Sequence, residues 1–578
     1  MSDNDQFPRF APGCQRADGG YDFSWQLTSS LLTDPVILQI PPKDTLPVIF
    51  VPGIMGSNLR SKGSRGKAAQ PVWRLDNSRH WNWVGPLEDK PLDLATSMMM
   101  ASAAERQKLL HPDRVEVDRG GAVPRKTAGS VYDVKQYSGR GWGEVGEGSY
   151  HGFLLWLEQV LNGQGYNPAT WPQFSYTAIS VAPKRGEYPR TPPLMKGIHM
   201  SMQGLPAQGE KGPMPLLSDD LIARARFRMP VYACGYNWLD SNIEAAKRLR
   251  QRILDVIKEN SHDHSHCSQV ILVTHSMGGL VARACQQLDG MQEAIAGVVH
   301  GVMPTVGAAV AYRRCKIGMA DEDPVAAMVI GRTGQEVTAV FAQAPGALQL
   351  LPARQYRSGW LTVDGPSGKS LETEPHTGDP YKDIYKRRDR WWGLIREEWL
   401  NPPGGTGLDW MRYERNLDKA ADFHDDIHDA YHPNTYVFYG TNSKATSFEG
   451  VHWKVRRGVR PDDKLPPPPD AVSKMGFADL RDNGSNPLYM GGKTVVMPDA
   501  GNLESSYWEL LCAMQDGGGD GTVPISSGAF PLRSGGAAIQ QQIGLPYIEH
   551  EPAYHDTTAR LFTLYALQKI SAKARAAA

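Results

Sequence analysis

The fold of this chain is restricted most by a predicted strand that turns sharply into a helix at a serine. In this chain the apolar run Gln269–Thr274 leads through His275-Ser276-Met277-Gly278-Gly279 into a helical segment, Leu280–Leu288. A short run rich in β-branched residues is typical of a buried parallel strand. A sharp turn after such a strand is strained and needs small residues on both sides of the serine. Gly278 meets that need, whereas Thr274 stands where glycine is usual.

The position of Ser276 in this turn is typical of a catalytic nucleophile. The turn would expose the serine hydroxyl at the carboxyl edge of a sheet. It would also place the Met277 N–H at a helix N-terminus, where developing negative charge is stabilised. We therefore predict that Ser276 is a nucleophile and that Met277 donates to an oxyanion. An ordinary strand-to-helix turn with a buried serine is the alternative.

Strands and helices alternate on both sides of this turn. Apolar segments predict further strands, at Leu46–Pro52, Met229–Cys234, Ile295–Val302 and Thr435–Tyr439. Amphipathic or apolar patterns predict helices, at Gly152–Leu161, Asp240–Glu259 and Thr557–Ile570. The alternation predicts an α/β fold with a doubly wound, mostly parallel sheet.

Long segments without this alternation predict large insertions into the core. We divide the chain into an N-terminal extension (1–45), a first part of the core (46–307) with an insertion at about 60–225, a cap or lid insertion (308–433) and a second part of the core (434–578). The cap contains an aromatic cluster, formed by Trp391, Trp392, Leu394, Ile395 and Trp399. Two interpretations of this cluster stay open: a surface for a membrane interface, or the core of a helical subdomain.

Charge and composition narrow the class of function. With 62 basic and 62 acidic residues, the chain is balanced, and nucleic-acid binding, which needs a basic stripe, is not expected. The six cysteines are sparse and show no CxxC spacing, so a disulfide framework is not expected. The histidine-rich run Ser261–Cys267 is interpreted as a solvated polar loop, with a metal site as the alternative, and we expect neither a metal nor a cofactor. The N-terminus, MSDNDQFPRF, has no apolar signal segment. We therefore expect synthesis in the cytoplasm without a Sec signal.

A second oxyanion donor is predicted after the first strand. The run Val51-Pro52-Gly53-Ile54-Met55-Gly56 follows an apolar segment directly. Gly53 and Gly56 allow the backbone to turn beneath the serine, so that the Ile54 N–H can point at the oxyanion. The alternative is a glycine-rich loop that only reverses the chain.

An acid and a histidine should complete the site, in that order along the chain. Asp520 lies alone in a glycine-flanked loop, and Asp516 is the competing acid. The base should leave the end of the last strand, which we predict at Leu545–Glu549. That placement favours His550, and His555 is the other choice.

These motifs, in this order, resemble those of lecithin:cholesterol acyltransferase-like lipases. The segments are PVIFVPGIMGSNL, GYNWLDS, VTHSMGGLVAR, GDGTVP and a C-terminal histidine loop. The resemblance implies an α/β-hydrolase fold with large cap or lid insertions. It also implies that Asp520 is the acid, His550 the base and Ile54 an oxyanion donor.

A second resemblance involves His300–Arg314 (HGVMPTVGAAVAYRR). This segment is similar to part of the antibacterial lipase effectors delivered by type VI secretion. It implies a serine-dependent phospholipase that contacts membranes transiently, attacks phospholipids in the periplasm of a target cell, and has an immunity protein and a secretion-system spike component as partners. The alternatives are an esterase or acyltransferase that acts on other acyl esters, and a catalytically inactive binding protein.

Overall fold

The computed structural model describes most of the chain. The described residues are 9–15, 21–23, 36–39, 42–63, 68–74, 101–124, 134–162, 216, 220, 223–224, 226–262, 265–322, 327, 330–458, 469–481, 484–490 and 507–575. Much of the predicted insertion at about 60–225, and much of the predicted extension at 1–45, lies outside the described residues.

The core is a six-stranded sheet in which every neighbouring pair of strands is parallel. Its strands are β1 (Val48–Val51), β2 (Val231–Ala233), β3 (Val270–His275), β4 (Ile295–Gly301), β5 (Thr435–Gly440) and β6 (Ile539–Leu545). The order across the sheet is β2-β1-β3-β4-β5-β6. The chain therefore builds outward from β1 in both directions, and the carboxyl ends of β1 and β3 lie side by side, at a switch point of the kind that hosts ligands in open α/β sheets.

Helices cover both faces of the sheet. They are α1 (Gly152–Asn162), α2 (Asn242–Glu259), α3 (Gly278–Cys285) and α4 (Thr557–Lys573). Ile49 and Val51 of β1 belong to the apolar cluster that includes residues of α2 and α3, whereas Val48 and Phe50 belong to the cluster that includes residues of α1 and α4. Burial on both faces explains the continuous apolar runs of these strands. The predicted doubly wound α/β fold is confirmed.

The last strand lies earlier than the sequence predicted. It is β6, Ile539–Leu545, rather than Leu545–Glu549. The sequence of β6 is IQQQIGL, and Gln541 and Gln542 are buried in it. A strand with this polar content gives no clear hydrophobic pattern, which is why the prediction was wrong.

A second sheet of five strands involves the predicted cap. In order across the sheet, its strands are Ser370–Glu374, Leu361–Asp364, Val451–Gly458, Tyr507–Cys512 and Leu488–Met490. One pair, Leu361–Asp364 with Val451–Gly458, is parallel, and the other three are antiparallel. The strands come from both sides of residue 434, so this sheet joins residues of the predicted cap (308–433) to residues of the predicted second part of the core (434–578).

Further helices and small sheets form much of the remaining described structure. Further helices are Ala103–Leu109, Val134–Gly139, Met291–Ala294, Ala309–Ile317, Gly334–Phe341, Pro345–Leu348, Trp410–Ile427, Pro469–Val472, Ile525–Gly528 and Phe530–Gly535. Small sheets join the strands Arg9–Gln15, Tyr21–Phe23 and Val36–Gln39; Asp44–Thr45 and Phe227–Arg228; Leu59–Ser61, Pro71–Trp73 and Val115–Val117; and Asn442–Ser447 and Gly517–Gly519.

The aromatic cluster of the predicted cap belongs to a protein core. Trp391, Trp392, Leu394, Ile395 and Trp399 are all buried. The indole N–H groups of Trp391 and Trp392 donate to the carbonyls of Val472 and Ser473, at 2.9 and 2.8 Å. Buried indoles with paired N–H groups pack a core and do not anchor at a bilayer. The interpretation of this cluster as a membrane surface is therefore wrong.

Candidate active site

Ser276 lies at the carboxyl end of β3, between that strand and α3. Its φ angle is 51°, in the left-handed region that residues with a Cβ rarely adopt and that is common at functional turns. The Ser276 N–H donates to the carbonyl of Gly301 on β4, at 2.9 Å. A Cβ added at Gly278 would lie 2.4 Å from the carbonyl oxygen of Val51. The turn can pass this close to β1 because position 278 carries no side chain.

Thr274 occupies the position where the motif usually has glycine. Its side chain is buried, and its Oγ1 lies 2.9 Å from Nδ1 of His300 on the neighbouring strand β4. Burial lowers the pKa of His300 to about 3, so its ring is neutral. The hydroxyl of Tyr554 donates to the Thr274 carbonyl at 2.8 Å. A hydroxyl-bearing residue is tolerated here because its polar atoms have partners.

His550 links Ser276 to Asp520 in one hydrogen-bonded row. His550 Nε2 lies 2.9 Å from Ser276 Oγ, and His550 Nδ1 lies 2.8 Å from Asp520 Oδ2. The other carboxylate oxygen of Asp520 accepts from the N–H groups of Thr522 and Val523, at 3.0 and 2.7 Å. With Nδ1 donating to the carboxylate, Nε2 is the nitrogen that can take the serine proton. The row has the geometry of a nucleophile, a base and an acid that orients the base.

The competing acid and the competing base lie outside this row. Asp516 Oδ2 is 2.9 Å from His452 Nε2. His555 is exposed, in the short 3₁₀ turn Ala553–His555 that precedes α4. Of the two aspartates and the two histidines that the sequence left open, the geometry favours Asp520 and His550.

The loop after β1 passes directly beside Ser276. A Cβ at Gly53 would lie 3.0 Å from the Ser276 Cβ, so this approach requires glycine. Ile54 follows Gly53, and Met277 is buried at the start of α3. In the part of the chain that the structure describes, neither the Ile54 N–H nor the Met277 N–H has a hydrogen-bond acceptor. Two unpaired amide donors near a serine are what an oxyanion requires.

Sequence reasoning missed one group beside this loop. Tyr150 lies in the helical turn Glu147–His151, just before α1, and it is buried. Its hydroxyl accepts from the Gly53 N–H at 3.2 Å and lies 3.1 Å from His275 Nδ1. Tyr150 comes from the predicted insertion, and no motif surrounds it. A contact between segments so far apart in the sequence leaves no local pattern to recognise.

The described residues contain one group of side chains of the metal-ligand type, in the region of the second sheet. Glu374, His376 and Asp383 have ligand atoms within 4.8 Å of one another. His376 Nδ1 lies 2.7 Å from Glu374 Oε2, and the Thr377 N–H and hydroxyl donate to Asp383 at 2.8 and 2.6 Å. These residues hydrogen-bond among themselves and make no contact with the row at Ser276.

Comparisons with known proteins agree with this architecture. The family model of the PGAP1-like alpha/beta domain matches residues 231–316, which include Ser276. Among solved structures, a chain from the crystal structure of the Tle4–Tli4 complex has a TM-score of 0.68 and 28% sequence identity, with 91% of this chain and 98% of that chain covered. No curated protein matches the sequence. The two matches confirm the predicted α/β-hydrolase fold, and they support the resemblance to lipases and type VI secretion lipase effectors drawn from the motifs.

None of the described helices is both long enough and apolar enough to cross a bilayer.

Proposed function

We propose that this chain is a serine-dependent lipase or phospholipase that hydrolyses acyl esters of membrane glycerophospholipids. The observation that carries the proposal is the row of Ser276, His550 and Asp520, in which one histidine contacts a strained serine at 2.9 Å and a buried carboxylate at 2.8 Å. The motif order of the acyltransferase-like lipases, and the structural similarity over 91% of the chain, support a lipid ester as the substrate.

The row would act by acyl transfer to water. Ser276 Oγ attacks the ester carbonyl while its proton moves to His550 Nε2. The amides of Ile54 and Met277 stabilise the oxyanion of the tetrahedral intermediate. His550 then gives the proton to the departing alcohol, which leaves an acyl group on Ser276. A water molecule, deprotonated by His550, attacks this acyl-enzyme and releases a fatty acid, and the proton returns to Ser276. Asp520 stabilises the charged His550 ring in both steps.

We infer further that the protein is an antibacterial effector of type VI secretion that acts in the periplasm of a target cell. The similarity of His300–Arg314 to such effectors supports this role. The Tle4–Tli4 structure is a complex, which supports an immunity protein as a partner of this chain. A spike component of the secretion system, as its carrier, is part of the same proposed effector role. Since basic and acidic residues are equal in number at 62 each, transient membrane contact should depend little on salt.

The chemical part of the proposal is tested with a fluorophosphonate probe and with product analysis. We expect the probe to label the wild type and not Ser276→Ala, and mixed phospholipid vesicles to release fatty acid and lysophospholipid. Acyl transfer to an added alcohol would identify an acyltransferase instead. Hydrolysis of short soluble esters alone would identify an esterase. Absence of labelling would identify an inactive binding protein.

The biological part is tested by expression in bacteria. We expect the wild type to arrest growth when a periplasmic signal is fused to it, and to be much less toxic in the cytoplasm. The Ser276→Ala variant, produced at the same level, should be harmless in both compartments. Equal toxicity of wild type and variant would show that the damage is not enzymatic. No toxicity of either would contradict the effector role while leaving the hydrolase reaction intact.

A further inference from the structure

A chain of buried hydrogen bonds connects the loop after β1 to the backbone of His550. The Gly53 N–H donates to the Tyr150 hydroxyl oxygen at 3.2 Å. The Tyr150 hydroxyl lies 3.1 Å from His275 Nδ1, and His275 Nε2 lies 2.8 Å from the carbonyl oxygen of His550. Tyr150 and His275 are both buried. The chain therefore links the oxyanion loop, the residue before Ser276 and the residue that carries the base.

Each hydrogen bond in this series, from Gly53 through Tyr150 and His275 to His550, has a defined donor and acceptor. The His550 carbonyl can only accept, so His275 must carry its proton on Nε2. Burial, together with the neighbouring His550, lowers the pKa of His275 to about 3, so the ring is neutral and Nδ1 is an acceptor. Tyr150 therefore donates its hydroxyl proton to His275 Nδ1. Burial raises the pKa of Tyr150, so that the proton stays on its oxygen, which accepts from Gly53.

The backbone of His550 is consequently held on both sides. Its N–H donates to the backbone carbonyl of Asp520 at 2.8 Å, and its carbonyl accepts from His275 at 2.8 Å. At the other end of this series of hydrogen bonds, the Gly53 N–H is already paired with Tyr150. Of the two consecutive amides of this loop, only that of Ile54 is left to face an oxyanion.

We propose that Tyr150 and His275 are positioning residues, which fix the oxyanion loop and the backbone of His550 relative to each other. The proposal rests on the proposed function of the Ser276 row. Neither side chain contacts the reacting atoms in this scheme. They act on the rate because a base or an oxyanion donor displaced by about 1 Å can cost on the order of a hundredfold in rate.

The test is Tyr150→Phe, which removes the hydroxyl and keeps the ring that packs against Phe50, with ring centroids 4.9 Å apart. The matched control is Tyr413→Phe, which also removes a buried hydroxyl, one that donates to the Tyr385 carbonyl at 2.9 Å. On a short soluble ester we expect the kcat of Tyr150→Phe to fall about tenfold or more, with KM within twofold of the wild type. The rate of fluorophosphonate labelling of Ser276 should fall in parallel. Tyr413→Phe should change neither.

A second pair of variants tests whether His275 must accept one hydrogen bond and donate the other. His275→Gln keeps one acceptor and one donor in the side chain, whereas His275→Leu keeps neither, and we expect the glutamine variant to have at least threefold the kcat of the leucine variant. In selectively ¹⁵N-labelled protein, the signals that His275→Gln removes should be those of a neutral Nε2–H tautomer at pH 6. This pair also decides the question if Tyr150→Phe does not fold.

The proposal is overturned if Tyr150→Phe keeps kcat within twofold of the wild type, or if the two His275 variants have equal kcat. Failure of the proposed function would look different, because Ser276→Ala would then keep its activity or the wild type would not be labelled by the probe. Failure of the positioning role and failure of the serine chemistry therefore give separate results.

Discussion

Two aspartate–histidine pairs, Asp520 with His550 and Asp516 with His452, have their aspartates close together in the sequence, and only the first pair faces Ser276. Asp520 and Asp516 each accept two backbone N–H bonds on one oxygen and contact a histidine with the other. The histidine beside Asp516, His452, also contacts a hydroxyl, since Thr362 Oγ1 lies 2.8 Å from its Nδ1. By contact pattern alone, both regions contain a hydroxyl, a histidine and an aspartate in a row.

The backbone and the burial of the two regions differ. Ser276 has a φ of 51° at the start of a helix, beside unpaired amide donors, whereas Thr362 lies within the strand Leu361–Asp364. The side chain of Asp520 is 1% exposed, and that of Asp516 is 28% exposed. A carboxylate shielded from water stabilises a charged histidine more strongly than one that water reaches. The two regions share a contact pattern, and the region at Ser276 adds a strained turn, unpaired amide donors and a more deeply buried acid, which are the features that favour Ser276 as the nucleophile.

The largest difference should appear when each hydroxyl is removed. Ser276→Ala should lower kcat by roughly 10⁵-fold or more, because it removes the atom that forms the acyl-enzyme. Thr362→Val, which keeps the shape of the side chain, should leave kcat within twofold. Ester hydrolysis by the two purified variants is the measurement. Activity of Ser276→Ala within tenfold of the wild type would contradict the assignment of the nucleophile.

Removing the histidines should give nearly as large a difference. His550→Ala should be about as damaging as Ser276→Ala, because both take part in the same proton transfer. His452→Ala and His555→Ala should each keep activity within about threefold, since neither ring contacts Ser276. The comparison uses the same ester assay together with the rate of fluorophosphonate labelling. An inactive His555→Ala variant beside an active His550→Ala variant would show that the base is misassigned.

Changing each carboxylate to an amide should separate the two regions again, by a smaller factor. Asp520→Asn should lower kcat by roughly 10³- to 10⁴-fold, because the amide no longer holds the proton on His550 Nδ1. Asp516→Asn should affect kcat little. Steady-state kinetics on a soluble ester gives both numbers. If the Asp516 variant is the more damaged one, the acid of the site is not Asp520.

The smallest expected effect is a pH dependence of the free energy of unfolding that comes from His275, the buried residue just before Ser276. In the Thr362 region, the residue just before Thr362 is Leu361, which does not titrate. The pKa of His275 is about 3 in the folded protein, against about 6.5 in an unfolded chain. Between these two values the unfolded chain binds a proton that the folded protein does not. The free energy of unfolding should therefore fall as pH falls from 6.5 towards 3, by up to about 1.4 kcal/mol per pH unit for this residue.

Denaturant unfolding at pH 7, 6 and 5 measures this dependence. His275→Gln should reduce its slope, because glutamine does not titrate. Equal slopes for the wild type and His275→Gln would show that His275 does not contribute.

The parallel sheet could be predicted from sequence because its strands are buried on both faces. Val48–Val51 is apolar throughout, and Val270–His275 is apolar over its first four positions, so short runs of this kind are visible without any knowledge of their neighbours. The strand Ile539–Leu545 was misplaced because glutamines fill its centre. The second sheet was not foreseen, since its strands come from distant segments and are short or partly exposed.

Some residues of the candidate site could be predicted from the sequence, and others could not. Ser276, Asp520 and His550 could be proposed because each follows a local signal, a strand-to-helix turn, a glycine-flanked loop or a position before the last helix. The structure brings these three into hydrogen-bond distance. Tyr150 has no such signal, because its role depends only on where the insertion places its hydroxyl. The burial of the cap tryptophans could not be predicted either, because composition does not distinguish a buried aromatic cluster from an exposed one.

The threonine two residues before Ser276 affects how relatives of this chain are found and how it can be redesigned. A search pattern that demands glycine on both sides of the serine would pass over this sequence, although the fold around the turn is intact. The two flanking positions are not equivalent. A combinatorial library could vary position 274 among residues able to bond with His300, which Thr274 contacts at 2.9 Å. Position 278 admits no variation, since any Cβ there would lie 2.4 Å from a carbonyl oxygen of β1.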